Sequence, residues 1–232
     1  MTQGVRAARA RAETMAQILA LGREQLAERG AADLSVRAIA RDLGMVSSGI
    51  YRYVATRDEL LTALIIDSYN QLGEQVEQAA AGRGAPGRRF IRAANAARNW
   101  GRDHPHDWAL IFGSPVPGYQ APRDTVQPGV RVASVLVSLT TEQHHGEGLL
   151  PPLRPMPISR RLSHQSALVR EALVTDLPDD AVLRCVMAWA MINGAISFEL
   201  FGQLANTFDP ADDALAYAFR GAALLVGFPD VD

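Results

Sequence analysis

The sequence predicts an all-α fold, with a three-helix N-terminal head and a larger helical body behind it. Three observations predict it. Apolar residues recur at spacings of three and four along most of the chain. Capping residues and Gly/Pro breakers punctuate that pattern at the intervals helices need. No stretch alternates in the manner of a strand, and no repeat at solenoid periods is present.

The elements follow in order. Met15, Ile18, Leu19, Gly22 and Leu26 line one face of a helix from about Arg11 to Arg29, which Gly30 stops. Ser35 is an N-cap for a second helix whose face is Val36, Ile39, Ala40 and Leu43, and Gly44 is its left-handed C-cap. Ser47 opens a short third segment ending near Tyr53. The run Thr56-Arg-Asp-Glu59 is a capping box that launches a long helix through Leu60, Leu61, Leu64, Ile65, Leu72 and Val76. Residues 81–87 form a Gly/Pro break. Helices are expected near 87–103, 105–113, 129–142, 159–175 and 178–205, with loops at 114–127 and 144–157. A last helix opens at Asp209-Pro210, with Asp209 as its cap, and closes near Gly227. The predicted division is 1–57 for the head and 58–232 for the body.

Composition narrows the function classes. With 48% apolar and 21% charged residues over 232 positions, the chain reads as an ordinary globular protein. No uninterrupted apolar run approaches the ~18 residues of a membrane span. The N-terminus has no apolar segment of the secretory kind, and Cys185 stands alone, so a reducing cytoplasm is expected. Net charge is −2, but it is unevenly divided: residues 1–57 hold nine Arg against five acids, and residues 58–232 hold fourteen Arg against twenty. A basic head on an acidic body suits a molecule that meets a polyanion at one end. All 23 basic side chains are Arg, which a GC-rich coding bias explains more simply than selection at each site.

The segments Ser35–Leu43 and Ser47–Tyr53, joined through Gly44, have helix-turn-helix dimensions. The first supplies an apolar face. The second presents small, hydroxylated, aromatic and cationic residues, the types that approach bases and phosphates in a major groove, while Ile50 and Val54 anchor it. The run from Leu34 to Leu61, and the helix before it, resemble the DNA-binding head of the TetR family over about residues 11–61. The Ile39-Ala40…Leu43-Gly44 core, the Gly-Ile-Tyr-Arg-Tyr segment and Thr-Arg-Asp-Glu-Leu-Leu carry the likeness.

That resemblance implies a double-stranded DNA operator as partner. It implies Ser47, Ser48 and Gly49 against bases, Tyr51 and Tyr53 near phosphates or sugars, and Ser35 and Arg37 as backbone contacts, with Arg52 a further DNA-binding candidate of the same segment. Tyr51 has a second reading as partly core. Arg57 stands where the family usually places Lys at a helix N-terminus, a ready phosphate site. Val54 replaces a common Phe. Arg6, Arg9 and Arg11 precede the expected first helix, and two readings stand for them: an arm entering a minor groove, or a solvated tail.

In the body, Trp189-Ala-Met-Ile-Asn-Gly194 resembles the signature of a TetR branch named for Trp, His and Gly, with Asn193 in place of His. The Trp100…Trp108-Ala-Leu-Ile-Phe-Gly stretch resembles the same branch. The resemblance implies a homodimer formed by the last two long helices. Along the 178–205 helix, Val182, Val186, Trp189, Asn193, Ile196 and Leu200 share a face, widened by Met187, Ile192, Phe198 and Phe201. It also implies a pocket for a small, largely apolar effector. Trp100, Trp108, Phe112, Tyr119, Met156, Trp189 and Asn193 are its candidate walls, each with plain core as the alternative.

Rival classes are weaker. The five histidines lack helical metal-ligand spacing with carboxylates, Gly82–Arg88 lacks the Lys-Ser/Thr end of a phosphate loop, and no nucleophile elbow is present. Neither enzyme nor cofactor or metal site is therefore expected. A helical protein-interaction module is the alternative, and the steep salt dependence of phosphate contacts separates it from a DNA binder.

Overall fold

The computed structural model of the protein describes residues 3–229 and 231, with only the backbone described for Gln3 and Ser47. Among the described residues the regular structure is helical throughout. The helices are α1 (Gln3–Arg29), α2 (Val36–Asp42), α3 (Ser47–Ile50), α4 (Arg57–Ala80), α5 (Pro86–Asp103), α6 (Pro105–Phe112), α7 (Val126–Gly129), α8 (Arg131–His145), α9 (Arg160–Leu173), α10 (Asp179–Leu200) and α11 (Asp212–Val226). They form two compact units. The first comprises residues 1–69 and 104–129, the second 70–103 and 130–232. These compact units are drawn differently from the expected division at residue 57: the first keeps the first half of α4 and also takes in α6, the loop after it and α7.

The first unit is built on the apolar stripes of α1, α2 and α4. Ile18, Leu26, Leu34, Ile39, Ile50, Val54, Leu60, Leu61 and Leu64 are buried together. Helix α1 lies close on α4 at Gly22, where a Cβ would come within 3.2 Å of Leu64 Cδ1. Helix α1 is longer than the apolar pattern predicts. Its first turns contain Ala7, Ala8, Ala10 and Ala12, strong helix formers, and Arg9 pairs with Glu13 one turn on at 2.7 Å. Arg6, Arg9 and Arg11 are therefore helical residues and not a flexible arm. The Thr56 hydroxyl accepts from Glu59 N at 3.1 Å as the capping box requires, while the Glu59 carboxylate reaches back to Ala55 N at 2.7 Å.

In the second unit α10 packs along α11, with α5, α8 and α9 against them. Phe90, Phe219 and Phe228 are fully buried, and the Phe90 and Phe228 rings lie 5.1 Å apart. Buried charges are met by partners. Arg98 holds Glu199 through two bonds, at 2.7 and 2.5 Å, and reaches Asp212 at 3.0 Å. Arg184 donates to the carbonyls of Val226 at 2.6 Å and Leu150 at 3.0 Å, tying α10 to the end of α11 and to the segment after α8. Gly227 is required there. Its φ is +108°, and a Cβ would fall 2.6 Å from Leu150 O.

Several boundaries differ from expectation. Helix α10 ends at Leu200 instead of continuing to 205, and α11 starts at Asp212 with Ala211 as N-cap, so Asp209-Pro210 lies outside it. The predicted 114–127 loop contains a 3-10 turn and the start of α7. By length and composition alone α10 is long and apolar enough to cross a bilayer, although no unbroken apolar run reaches that length. Its apolar character divides between two faces. Val182, Cys185, Ala188, Ile192 and Ile196 are buried, whereas Val186, Met187, Met191 and Phe198 are exposed. The single shared face drawn from the sequence is thereby corrected: Val182, Ile192 and Ile196 belong to the core of the unit.

Candidate nucleic-acid interface

The helix-turn-helix is held by short-range bonds that the sequence specifies. The Ser35 hydroxyl accepts from Ala38 N at 3.3 Å and caps α2. At the other end Gly44, at φ +65°, donates to Arg41 O at 3.0 Å, and Met45 N donates to Ala40 O at 2.8 Å. This pair of bonds is a Schellman C-cap, and it turns the chain directly into α3. Ser47 does not cap α3; Val46 occupies the N-cap position. The helix itself is a single turn, but Tyr53 N and Val54 N both donate to Ile50 O, at 2.8 and 3.0 Å, so the segment stays coiled through Val54. Ile50 and Val54 are buried and anchor it, as expected.

Ser48, Arg37, Tyr51 and Arg52 are exposed around this segment. Tyr51 accepts a hydrogen bond from Arg37 Nε at 3.3 Å, joining an expected phosphate ligand of α2 to one beyond α3. Tyr51 is thus a surface residue, 39% exposed, and not core. Tyr53 is half-buried against the head core, with the Arg11 guanidinium 4.9 Å from its ring centre. Arg11 also donates to Arg52 O at 3.1 Å, so the helical extension of α1 is tied to the recognition segment. Residues 43–57 contain no acid, and the exposed Asp42 and Asp58 at the two ends of that stretch are paired with Arg41 and Arg57.

Two residues sit differently from expectation. Gly49 is buried, with the side chains of Met45 and Val46 nearest to where a Cβ would stand, so it lies beneath them and not at the surface. Arg57 is half-buried, donating to Ala31 O at 2.8 Å and pairing with Asp58 at 3.2 Å. Its guanidinium ties the start of α4 to the turn before α2. The Ser47 side chain lies outside the described residues.

One residue of this site escaped the periodicity. Gln25, 6% exposed, accepts from Ser35 N at 2.8 Å through Oε1 and donates to Ser35 O at 3.5 Å through Nε2, clamping the residue that caps α2. The signal was a polar residue three positions after Gly22, on the core-facing side of α1.

The seven candidate effector-pocket residues divide between the units. Trp108 is fully buried in the first, with its ring 4.6 Å from Phe112 and Phe112 edge-on to Tyr69 at 5.9 Å. Tyr119 bonds Thr62 at 2.8 Å in the same unit. All three belong to the first unit. In the second unit Trp100 is buried, Trp189 and Asn193 are half-buried, and Met156 stands 78% exposed on the segment between α8 and α9. A cavity of about 240 Å³ in that unit is lined by Arg98, Arg102, Glu199, Phe208 and Asp212 among others, and a shallow trough of about 540 Å³ by Thr141, His145, Arg170 and Thr175. None of the seven lines either.

Comparison with known proteins agrees with this geometry. The family model described as bacterial regulatory proteins, tetR family, matches residues 18–64, and the model described as tetracyclin repressor-like, C-terminal domain, matches residues 90–221. The HTH-type transcriptional regulator Rv1816 of Mycobacterium tuberculosis is 41% identical over 202 residues, covering 84% of this chain and 83% of that protein. Mb1846 of Mycobacterium bovis, also an HTH-type transcriptional regulator, matches to the same extent. Among solved structures, the regulatory protein SCO4313 has a TM-score of 0.75 at 28% identity, covering 92% of this chain and 97% of its own. A Rhodococcus protein of unknown function shares the fold at a TM-score of 0.66 and 22% identity. The chain belongs to the TetR family of bacterial transcription regulators.

Proposed function

We propose that this regulator is a cytoplasmic homodimeric repressor that holds a near-palindromic operator and releases it when a small, largely apolar molecule occupies its second unit. The observation that carries the DNA part is the acid-free surface of residues 43–57, where Ser48, Tyr51 and Arg52 are exposed on a segment anchored by Ile50 and Val54. Ser48 faces the bases. Arg37, Tyr51, Arg52 and Tyr53 hold the backbone, with Ser35 presenting the N-terminus of α2 to a phosphate. Arg57 contributes mainly by fixing α4 to the head, with its charge adding to the local field.

Dimerisation is supported by the exposed Met187, Met191, Phe198, Tyr217, Leu224 and Leu225 on α10 and α11. Such a collection of large apolar side chains is costly to leave in water and marks a surface that another protein covers. Two recognition segments one DNA turn apart, ~34–36 Å, then match the two halves of an operator. The effector acts only by binding the operator-competent and released states unequally. Trp189 and Asn193, one turn apart on α10, offer it an aromatic face and an amide.

Selection of binding sites from random duplexes, followed by fluorescence anisotropy at two salt concentrations, tests the reading. Enrichment of a two-fold symmetric sequence with a steep salt slope supports it. Failure to enrich any sequence would favour the protein-interaction module instead.

A further inference from the structure

The head unit is discontinuous in sequence, and polar bonds join its distant parts. Asp107 of α6 is only 4% exposed and accepts from Arg23 Nε at 2.9 Å and from the fully buried Ser68 Oγ at 2.5 Å. The same Arg23 guanidinium bonds Asp67 through Nη2. Helices α1, α4 and α6 thus meet at one guanidinium flanked by two carboxylates. Two residues along α1 from Arg23, Gln25 clamps Ser35, the cap of α2. The α6 segment is held to α4 again by Tyr119–Thr62 at 2.8 Å and by Tyr69 OH donating to Ile111 O at 3.2 Å.

We propose that Asp107 and Arg23 are positioning residues for operator recognition, fixing the angle of α1, and through Gln25 the α2–α3 pair, against α4. A buried ion pair is weak evidence for stability, because desolvation offsets its attraction. Its strength is direction: charge-assisted bonds demand one geometry, where an apolar contact of equal size tolerates sliding. The inference rests on the DNA-binding reading, and neither side chain touches DNA in it.

The test uses full-length Asp107→Asn and Arg23→Met variants, with the sequence the wild type selects and an unrelated duplex of equal length. Each variant should weaken operator binding roughly tenfold. Binding to the unrelated duplex should stay within twofold and the salt slope should not change, because the phosphate ligands are intact. The double variant should lose no more than the worse single, as expected for one network. Asp107→Asn keeps the size of the side chain and removes the charge on which the charge-assisted bonds depend, so it decides if Arg23→Met fails to fold. Operator affinity within twofold of wild type in a folded variant overturns the proposal and leaves DNA binding standing. So does an equal loss on both duplexes. A wild type that selects no sequence removes the DNA reading and this proposal together.

Discussion

The recognition surface of the first unit and the outer surface of α10 and α11 in the second are both exposed, and they are made of opposite materials. The first carries Arg37, Ser48, Tyr51 and Arg52 over buried Ile50 and Val54. Water solvates such a surface at little cost, and it gains most by meeting phosphates. The second carries Met187, Met191, Phe198, Leu224 and Leu225 over an interior closed by Phe219 and the Arg184–carbonyl bonds. Leaving that surface wet costs about 25 cal/mol for each Å² of apolar area. Polarity, more than shape, thus separates the surface proposed for nucleic acid from the surface proposed for a second copy. In each unit the residues beneath the surface are fixed by specific bonds.

The largest predicted effect breaks the second surface. Met187→Asp combined with Leu224→Asp should give a monomer in sedimentation and weaken operator binding by ~100-fold or more, because the second half-site contact loses its effective concentration. Unaltered association would place the partner surface elsewhere. Next comes Tyr53→Ala, which should weaken operator binding about tenfold, roughly 1.4 kcal/mol, with the sedimentation of the dimer unchanged. Ser35→Ala acts on the support of the first surface. It should cost the head about 1 kcal/mol in chemical denaturation, the usual loss of an N-cap.

The smallest effect separates the units by acid sensitivity. In the second unit the Arg131 guanidinium lowers the Glu77 carboxyl below its ordinary range, bonds from Ser163 and Arg170 lower Asp179, and Arg98 lowers Asp212. A carboxylate lowered in the folded state contributes stability above its unfolded pKa, and that contribution is lost as pH falls through the folded value. Hydrogen exchange followed from neutral pH downward should therefore show segments around α10 and α11 losing protection once pH passes below the usual carboxylate range. These groups are mostly exposed, so the change is modest. Constant protection there at acid pH would contradict it.

What the sequence disclosed was local. Ser35, Gly44 and the Thr56–Glu59 pair specify their turns within a few residues, so the helix-turn-helix could be placed before any coordinates. The exposure of Arg37, Ser48, Tyr51 and Arg52 is consistent with the same register, whereas Gly49 is buried beneath Met45 and Val46. The start of α1 was missed because alanine carries helix propensity without an apolar stripe. The inclusion of α6 in the first compact unit has a longer-range cause: the bond between Arg23 and Asp107 spans 84 residues, and no period encodes it. On α10, periodicity marked the apolar positions but not which of them turn inward. Cys185 faces in and Met187, two positions on, faces out.

The most direct test of the account is the stoichiometry of the wild-type protein on its selected operator, measured by sedimentation of the complex with the two half-sites at native spacing and displaced by half a DNA turn. The account predicts two chains per duplex at native spacing, in a complex lost when the half-sites are displaced, because a rigid dimer fixes the separation of its recognition segments. One chain per duplex, or equal binding at both spacings, would contradict it.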